Sequence, residues 1–260
     1  MFRRLPPTGG DQRAVAEIVN GMMDGKTNNT GSITLATGNA TTTTISDPRI
    51  SRDSMILLVP KSAAAFADTA PYGSFQDSTD QTAASTTVAY PITFNTTDFS
   101  NGVYLSNSSR LNVRNAGIYN LQYSLQMENK DNAQHDVDIW FRKNGTNITA
   151  SNSKFTVPAR KSASIYGHVI GAINYFVELA ANDYVEIVWR AENTNLSLEQ
   201  TPAESSPTRP ATPSVIATMQ YVAPNSLDNV YVSAQTNGSA TLTHFANSTA
   251  SKTYGYVIVG

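Results

Sequence analysis

The stretch Asp136-Val-Asp-Ile-Trp-Phe-Arg-Lys-Asn-Gly145 decides how this chain is read. Asp136–Lys143 reads as a strand, and the Asn144-Gly145 pair directly after it is the strongest short hairpin signal. Both central positions of a type I′ turn need positive φ, which Asn and Gly tolerate. Working outward, turn-bounded runs of the same kind recur. On the N-terminal side they are Val88–Phe94, Gly102–Leu105, Leu111–Val113 and Gly117–Glu128; on the C-terminal side, Lys154–Pro158, Ala163–Leu179, Tyr184–Ala191 and Ser214–Val222. Ala163–Leu179 is expected to break near Gly171. Ala180–Asp183 reads as a turn, and the stretch from Thr201 to Pro213, with four prolines, as a loop. This density of strands over residues 88–222 predicts an antiparallel sandwich.

The flanks are also strand-like. Ser32–Ala36 alternates with period two, Ala40–Ser46 is β-branched, Asp47-Pro48 breaks the run, and Ser54–Pro60 reads as a fully buried strand. The tail returns to this style in Val230–Ala234, Ala240–His244 and Tyr254–Val259. Residues 68–87, poor in apolar side chains and rich in Thr, Ser, Asp and Ala, are expected to form a linker. One helix is expected, over Asp11–Asp24. Val15, Ile18, Val19 and Met22 make one apolar stripe, Asp11 caps the free amides, and Gly21 or Gly25 ends the helix. Three to four turns do not stand alone in water, so the stripe is buried either on its own domain or on copies of itself.

Composition narrows the classes further. Ser, Thr and Asn supply 79 of 260 residues, charged residues only 15 %, and the formal net charge is −2. Helix bundles need far more Ala, Leu, Glu, Lys and Arg. A 40 % hydrophobic content with 12 Tyr and 9 Phe is enough for a core, which excludes disorder throughout. Near-neutral charge gives no basis for a nucleic-acid partner held by counterion release. With no Cys there are no disulfides and no thiolate chemistry. Met1–Gly10 has no apolar stretch after its arginines, so it does not read as a secretory signal. The strongest apolar run, Met55–Val59, is far too short to span a bilayer, and no membrane insertion is expected. Sequons such as Asn28-Asn-Thr30 arise by chance in a chain this rich in Asn, Ser and Thr.

Chemistry-bearing motifs are sparse. His135-Asp136-x-Asp138 has no repeated ligand spacing and reads as solvated residues at the start of a strand. His168 reads as a packed or edge histidine and His244 as a structural hydrogen-bonder. No Gly-x-Ser-x-Gly elbow, phosphate loop or His-Glu-x-x-His occurs. Catalytic residues, a metal site and a cofactor are therefore not expected.

Two stretches of text resemble known families. Asn115-Ala-Gly-Ile-Tyr-Asn-Leu-Gln-Tyr-Ser124, Val137–Gly145 with its terminal Lys-Asn-Gly, and Val177-Glu-Leu-Ala-Ala-Asn-Asp-Tyr-Val-Glu-Ile187 resemble the jelly roll of the complement globular head and tumour necrosis factor superfamily. The likeness covers about residues 88–222 and implies a compact homotrimer with apolar residues on its axis. Tyr175 and Phe176 are then candidate seam residues, with Val15, Ile18, Val19 and Met22 of the helix. The flanks resemble a small β domain of bacteriophage virion proteins. The likeness rests on Gly31–Leu35, Thr41–Thr44, Asp47-Pro-Arg-Ile50, Ser54–Pro60 and Ala63–Ala67 in the first half. In the second half it rests on Val230–Ser233, Gly238–His244, Asn247 and Tyr254–Gly260. The Pro6–Gly10 lead and the helix exit to Gly31 resemble the start of such proteins.

The expectation is an all-β chain, with a jelly roll (88–222) inserted into a discontinuous small β domain (31–67 with 227–260) and preceded by an arm and helix (1–30). Insertion is tolerable because the ends of a compact domain usually lie at its surface and often close together. The resemblances imply a non-enzymatic phage structural protein, synthesised in a bacterial cytoplasm and located in the virion. It would be a trimeric short tail fibre or receptor-binding protein held to other virion proteins through its N-terminal region. A head or tail decoration protein is the alternative, and a glycan-cleaving tail enzyme is disfavoured by the missing motifs.

Overall fold

A computed structural model describes residues 11–23, 29–66, 70–222, 230–247 and 252–260. The expectations for the Pro6–Gly10 lead, for Gly25 as a helix stop and for the sequon at Asn28 lie outside the described residues. The chain opens with α1 (Gln12–Met23), β1 (Thr30–Thr34), β2 (Ala40–Ser46), β3 (Met55–Pro60) and a one-turn α2 (Ala63–Phe66). There follow β4 (Tyr72–Asp77), β5 (Gln81–Thr82), β6 (Tyr90–Pro91), β7 (Thr96–Asn101), β8 (Val103–Ser106), β9 (Arg110–Val113) and β10 (Gly117–Asn129). Next come β11 (His135–Lys143), β12 (Thr146–Asn147), β13 (Ser153–Val157), β14 (Gly167–Leu179), β15 (Tyr184–Ala191) and β16 (Leu196–Leu198). The chain ends with β17 (Glu204–Ser205), β18 (Thr208–Arg209), β19 (Val215–Tyr221), β20 (Val230–Thr236), β21 (Ser239–Asn247) and β22 (Thr253–Val259). The fold is all-β and antiparallel, with one short N-terminal helix ahead of the strands. Contacts divide it into two compact units, residues 69–227 and residues 1–68 with 228–260.

The larger unit is a sandwich of two sheets. In the first, β14 runs along one side of β10 for thirteen residues, while β19 and β16 share the other side; β4 and then β7 continue beyond β19. In the second, β12, β11, β15, β9 and β8 lie in order, with β13 on β11 and β6 on β15. Alternate residues of each strand point inward and make one core containing Phe75, Tyr119, Leu121, Phe141, Ile187 and Trp189. Asn144 and Gly145 both take positive φ and close β11 onto β12, as the hairpin signal requires. Their turn is tied to the next one: Asn144 Nδ2 donates to Asp183 Oδ1 at 2.7 Å, and Lys143 pairs with Asp183 at 3.0 Å. Tyr119 Oη donates to the Asn115 carbonyl at 2.7 Å. A Cβ on Gly117 would stand 2.1 Å from the Tyr221 ring, which is why the Gly-x-Tyr step needs glycine there.

Three expectations are corrected. β3 is not a buried strand: Met55, Leu57 and Val59 are exposed, and Ile56 and Leu58, on its other side, pack against the core only half-buried. Residues 68–87 do not form a linker throughout, because Tyr72–Asp77 is β4, paired with β19 on one side and β7 on the other. Its inward residues are Gly73, Phe75 and Asp77, so only one large apolar side chain marks a strand that is otherwise polar in composition. Nor does β14 break at Gly171. A Cβ there would come within 2.5 Å of Met127 Cε, so this glycine admits a close neighbour inside a continuous strand. The 201–213 loop holds a short β17–β18 hairpin.

The smaller unit joins the two ends of the chain. β22 lies between β1 and β3, and β21 between β2 and β20, around a core of Leu35, Ile45, Ile50, Leu242, Tyr254, Tyr256 and Ile258. The buried Asp47 carboxylate accepts from Arg49 Nε at 2.8 Å, again from Arg49 Nη2, and from Tyr256 Oη at 2.9 Å. Gly31 leaves room for the Tyr256 ring, since a Cβ there would lie 2.1 Å from Cζ. Asn247 Nδ2 donates to the Leu35 and Ala36 carbonyls at 3.3 and 3.1 Å.

Hydrogen bonds from Arg49 hold the Asp47 carboxyl well below the ordinary carboxylate range, against an opposing contribution from burial. A depressed folded-state pKa stabilises above the unfolded value of about 3.9 and is lost as pH falls toward the folded one. Acid melts should therefore show stability dropping below about pH 4, with a shallower drop in Asp47→Asn. In denaturant titration, Phe75→Ala should cost about 3–5 kcal/mol as a large-to-small core change. A linker residue would cost less than about 0.5 kcal/mol.

Candidate functional site

The sandwich turns chemically different outer faces to its surroundings. On the second sheet, Asp138 sits opposite Arg190 and pairs with it at 3.1 Å, and Asp136 pairs with Lys154 at 3.3 Å. The first sheet is different. Its register aligns Phe176, Asn120, Gln220 and Tyr72 across four strands; Asn174, Gln122, Thr218 and Ser74 form the next row, and Ala172, Ser124, Ile216 and Gln76 the third. None of these twelve side chains carries a charge. Phe176 is 58 % exposed, Ile216 41 %, and Ile170, beyond the third row, 61 %. Phe99 is also exposed and meets Tyr72 edge-on at 5.9 Å between ring centroids.

An antiparallel sheet face that meets water is ordinarily rich in polar and charged side chains, whereas the centre of a protein–protein interface is depleted of charge and enriched in aromatics. The three central rows share the depletion of charge, with aromatics only in the first row. Eight of the twelve side chains are polar, and at the β7 edge the Asp98 carboxylate accepts from Ser74 Oγ at 3.0 Å and from Gln76 Nε2 at 2.6 Å. Within the first row, Asn120 Oδ1 is buried and, among the described residues, is a side-chain oxygen with no hydrogen-bond partner. Such an acceptor is costly unless something supplies a donor.

The structure separates the expected seam residues. Phe176 lies on this outer face. Tyr175, its neighbour, points the other way and stacks on Phe141 at 4.7 Å, because adjacent residues of a strand face opposite sides. Tyr175 therefore packs against the core, and the two rings do not share one surface. On α1, Asp11 caps as expected, its Oδ1 accepting from Ala14 N at 2.7 Å. Ala14 is the buried residue of this helix. Ile18 is half-buried, while Val15, Val19 (46 %) and Met22 (62 %) stay exposed, so the chain leaves most of its helical stripe uncovered.

No family model matches the chain, and no curated protein is significantly similar to it. The motif residues themselves are now accounted for by structure: Asn115, Tyr119, Asn144 and Asp183 hold the sandwich, and Asp47, His244, Asn247 and Tyr256 hold the smaller unit. His244 is buried, with Nε2 at 2.9 Å from Thr43 Oγ1 and Nδ1 at 2.8 Å from the Phe245 carbonyl, so it is the structural hydrogen-bonder expected. His135 contacts Asp131 at 2.8 Å and Asn193 at 3.0 Å. His168 faces Glu199 at 3.3 Å, in a cluster with Glu128 that no local spacing announces. The uncharged face was equally invisible to a motif reading. Its signal was the run of uncharged residues at alternate positions 118–126 of β10.

If this face is a seam, charges placed within it should break it. Phe176→Asp combined with Ile216→Asp should weaken self-association at least about 100-fold in sedimentation velocity. The thermal midpoint of the dissociated chain should shift little, because both side chains are already exposed.

Proposed function

We propose that this chain is a non-enzymatic structural protein of a bacteriophage particle. In this reading it works as a homotrimer through the uncharged outer face of the β14–β10–β19–β4 sheet. The composition of that face carries the proposal: three rows of uncharged side chains, aromatic at one end, on a sandwich whose other face is laced with ion pairs. The exposed stripe of α1 supports it from a second element, since apolar residues at helical spacing gain by meeting copies of themselves. The resemblance to the complement-head and tumour-necrosis-factor jelly roll favours three copies over two. The resemblance of the flanks to a phage virion domain favours a particle as the setting, with the arm and smaller unit attaching the protein to other virion proteins.

Of the two roles such a trimer can play, we favour a short tail fibre or receptor-binding protein over a decoration protein. Presentation of several copies on one particle raises effective concentration at a surface and turns weak contacts into firm adsorption. Light scattering should give about three times the 28.0 kDa chain mass, and a monomer at every concentration would overturn the assembly. In adsorption assays, excess purified protein should block its own phage. Particles that lack the protein, adsorb normally and break easily would establish decoration instead.

A further inference from the structure

We propose that Glu128, His168 and Glu199 form a binding site for a divalent transition-metal ion of the zinc type. The sheet assembles it from three segments. Antiparallel pairing puts Glu128 of β10 directly opposite His168 of β14 on one side and Ser197 of β16 on the other. Glu199 follows Ser197 by two residues, so it returns to the same face, and its backbone N–H bonds the Gln126 carbonyl at 2.8 Å. One donor atom from each of the three side chains lies within 4.8 Å of the others. Zinc–ligand bonds of about 2.0–2.2 Å need a somewhat tighter cluster. The required movement falls on His168, whose side chain is 55 % exposed, and on the partly exposed Glu199, while Glu128 is 2 % exposed and fixed.

Electrostatics favours a cation here. Glu128 Oε2 already draws Lys130 Nζ to 2.9 Å and a hydrogen bond from Ser197 Oγ at 3.2 Å. The cluster thus brings two carboxylates, Glu128 and Glu199, to a site with one ammonium, Lys130, and the like charges repel. A dication relieves that repulsion. A cleft of about 590 Å³ opens beside the cluster, lined by His168, Glu199, Gln126, Thr201, Arg209 and Thr212, with room for an ion and its remaining waters. Mixed imidazole and carboxylate donors suit zinc and its first-row neighbours, whereas calcium takes six to eight oxygens. The other histidines differ: both His244 nitrogens are engaged, and His135 stands with one carboxylate and an amide.

The test is calorimetric titration of zinc chloride into the chelator-treated full-length chain at about pH 7.5, with calcium chloride as the comparison. One zinc per chain is expected, with affinity falling at least about tenfold at pH 5.5, as protons compete for the ligands. His168→Ala and Glu199→Gln, both on accessible side chains, should each weaken zinc binding at least about tenfold while the circular dichroism is unchanged. His135→Ala should bind as the parent does. No saturable zinc binding up to about 1 mM would leave the cluster a Lys130–Glu128 ion pair and overturn the proposal. Zinc binding that survives His168→Ala, or is lost in His135→Ala, would also overturn it, as would calcium binding in preference to zinc.

Discussion

The thirteen-residue pairing of β10 with β14 is the constraint on which most of the larger unit depends. Each hydrogen-bonded step commits one residue inward and the next outward, so a single register divides Gly117–Asn129 into two chemically distinct rows. The inward row, Tyr119, Leu121, Tyr123, Leu125 and Met127, is buried and meets the opposite sheet. The outward row, Asn120, Gln122, Ser124 and Gln126, sits in the uncharged face, and at its end Glu128 is delivered opposite His168. A slip of one residue would exchange the core with the surface. Core, proposed seam and proposed ion site are thus consequences of one pairing, and Gly171 keeps it continuous by making room for Met127.

The smaller unit depends on a different kind of closure. Its sheets pair strands from the two ends of the chain, with β22 between β1 and β3 and β21 beside β2. Such long-range pairing bears a loop-closure cost that grows only slowly with the length of the intervening chain, so a whole sandwich can lie between the halves. Specific buried polar contacts then set the pairing. Tyr256 reaches Asp47 across more than two hundred residues, and Asn247 reaches the carbonyls of Leu35 and Ala36. An uncompensated carboxylate in that position would be costly, so Arg49 and Tyr256 specify the arrangement as well as stabilise it.

Much of this was legible in the sequence, and the misses have physical causes. Local signals read true: Asn144-Gly145 turns, Asp11 caps, and Tyr184–Ala191 is a strand as expected. Tyr72–Asp77 was missed because a strand flanked by neighbours on both sides can rely on one large inward residue, here Phe75, for its core contacts. Gly171 was misread because a glycine within a strand signals either a bend or a close approach, and sequence does not say which. Tyr175 and Phe176 were grouped as neighbours in the chain, although strand geometry sends them to opposite faces.

The sequence by itself determined the all-β class, the amphipathic N-terminal helix, most of the turn positions and the low charge, because each follows from backbone preference or from composition over a few residues. Only the tertiary structure decided which polar residues share a face, that this face is uncharged across four strands, and that Glu128, His168 and Glu199 converge. Those properties depend on strand order and register between segments as many as about 140 residues apart, such as β4 and β19. No local pattern encodes them, because pairing across a sheet is settled by the packing of the whole core.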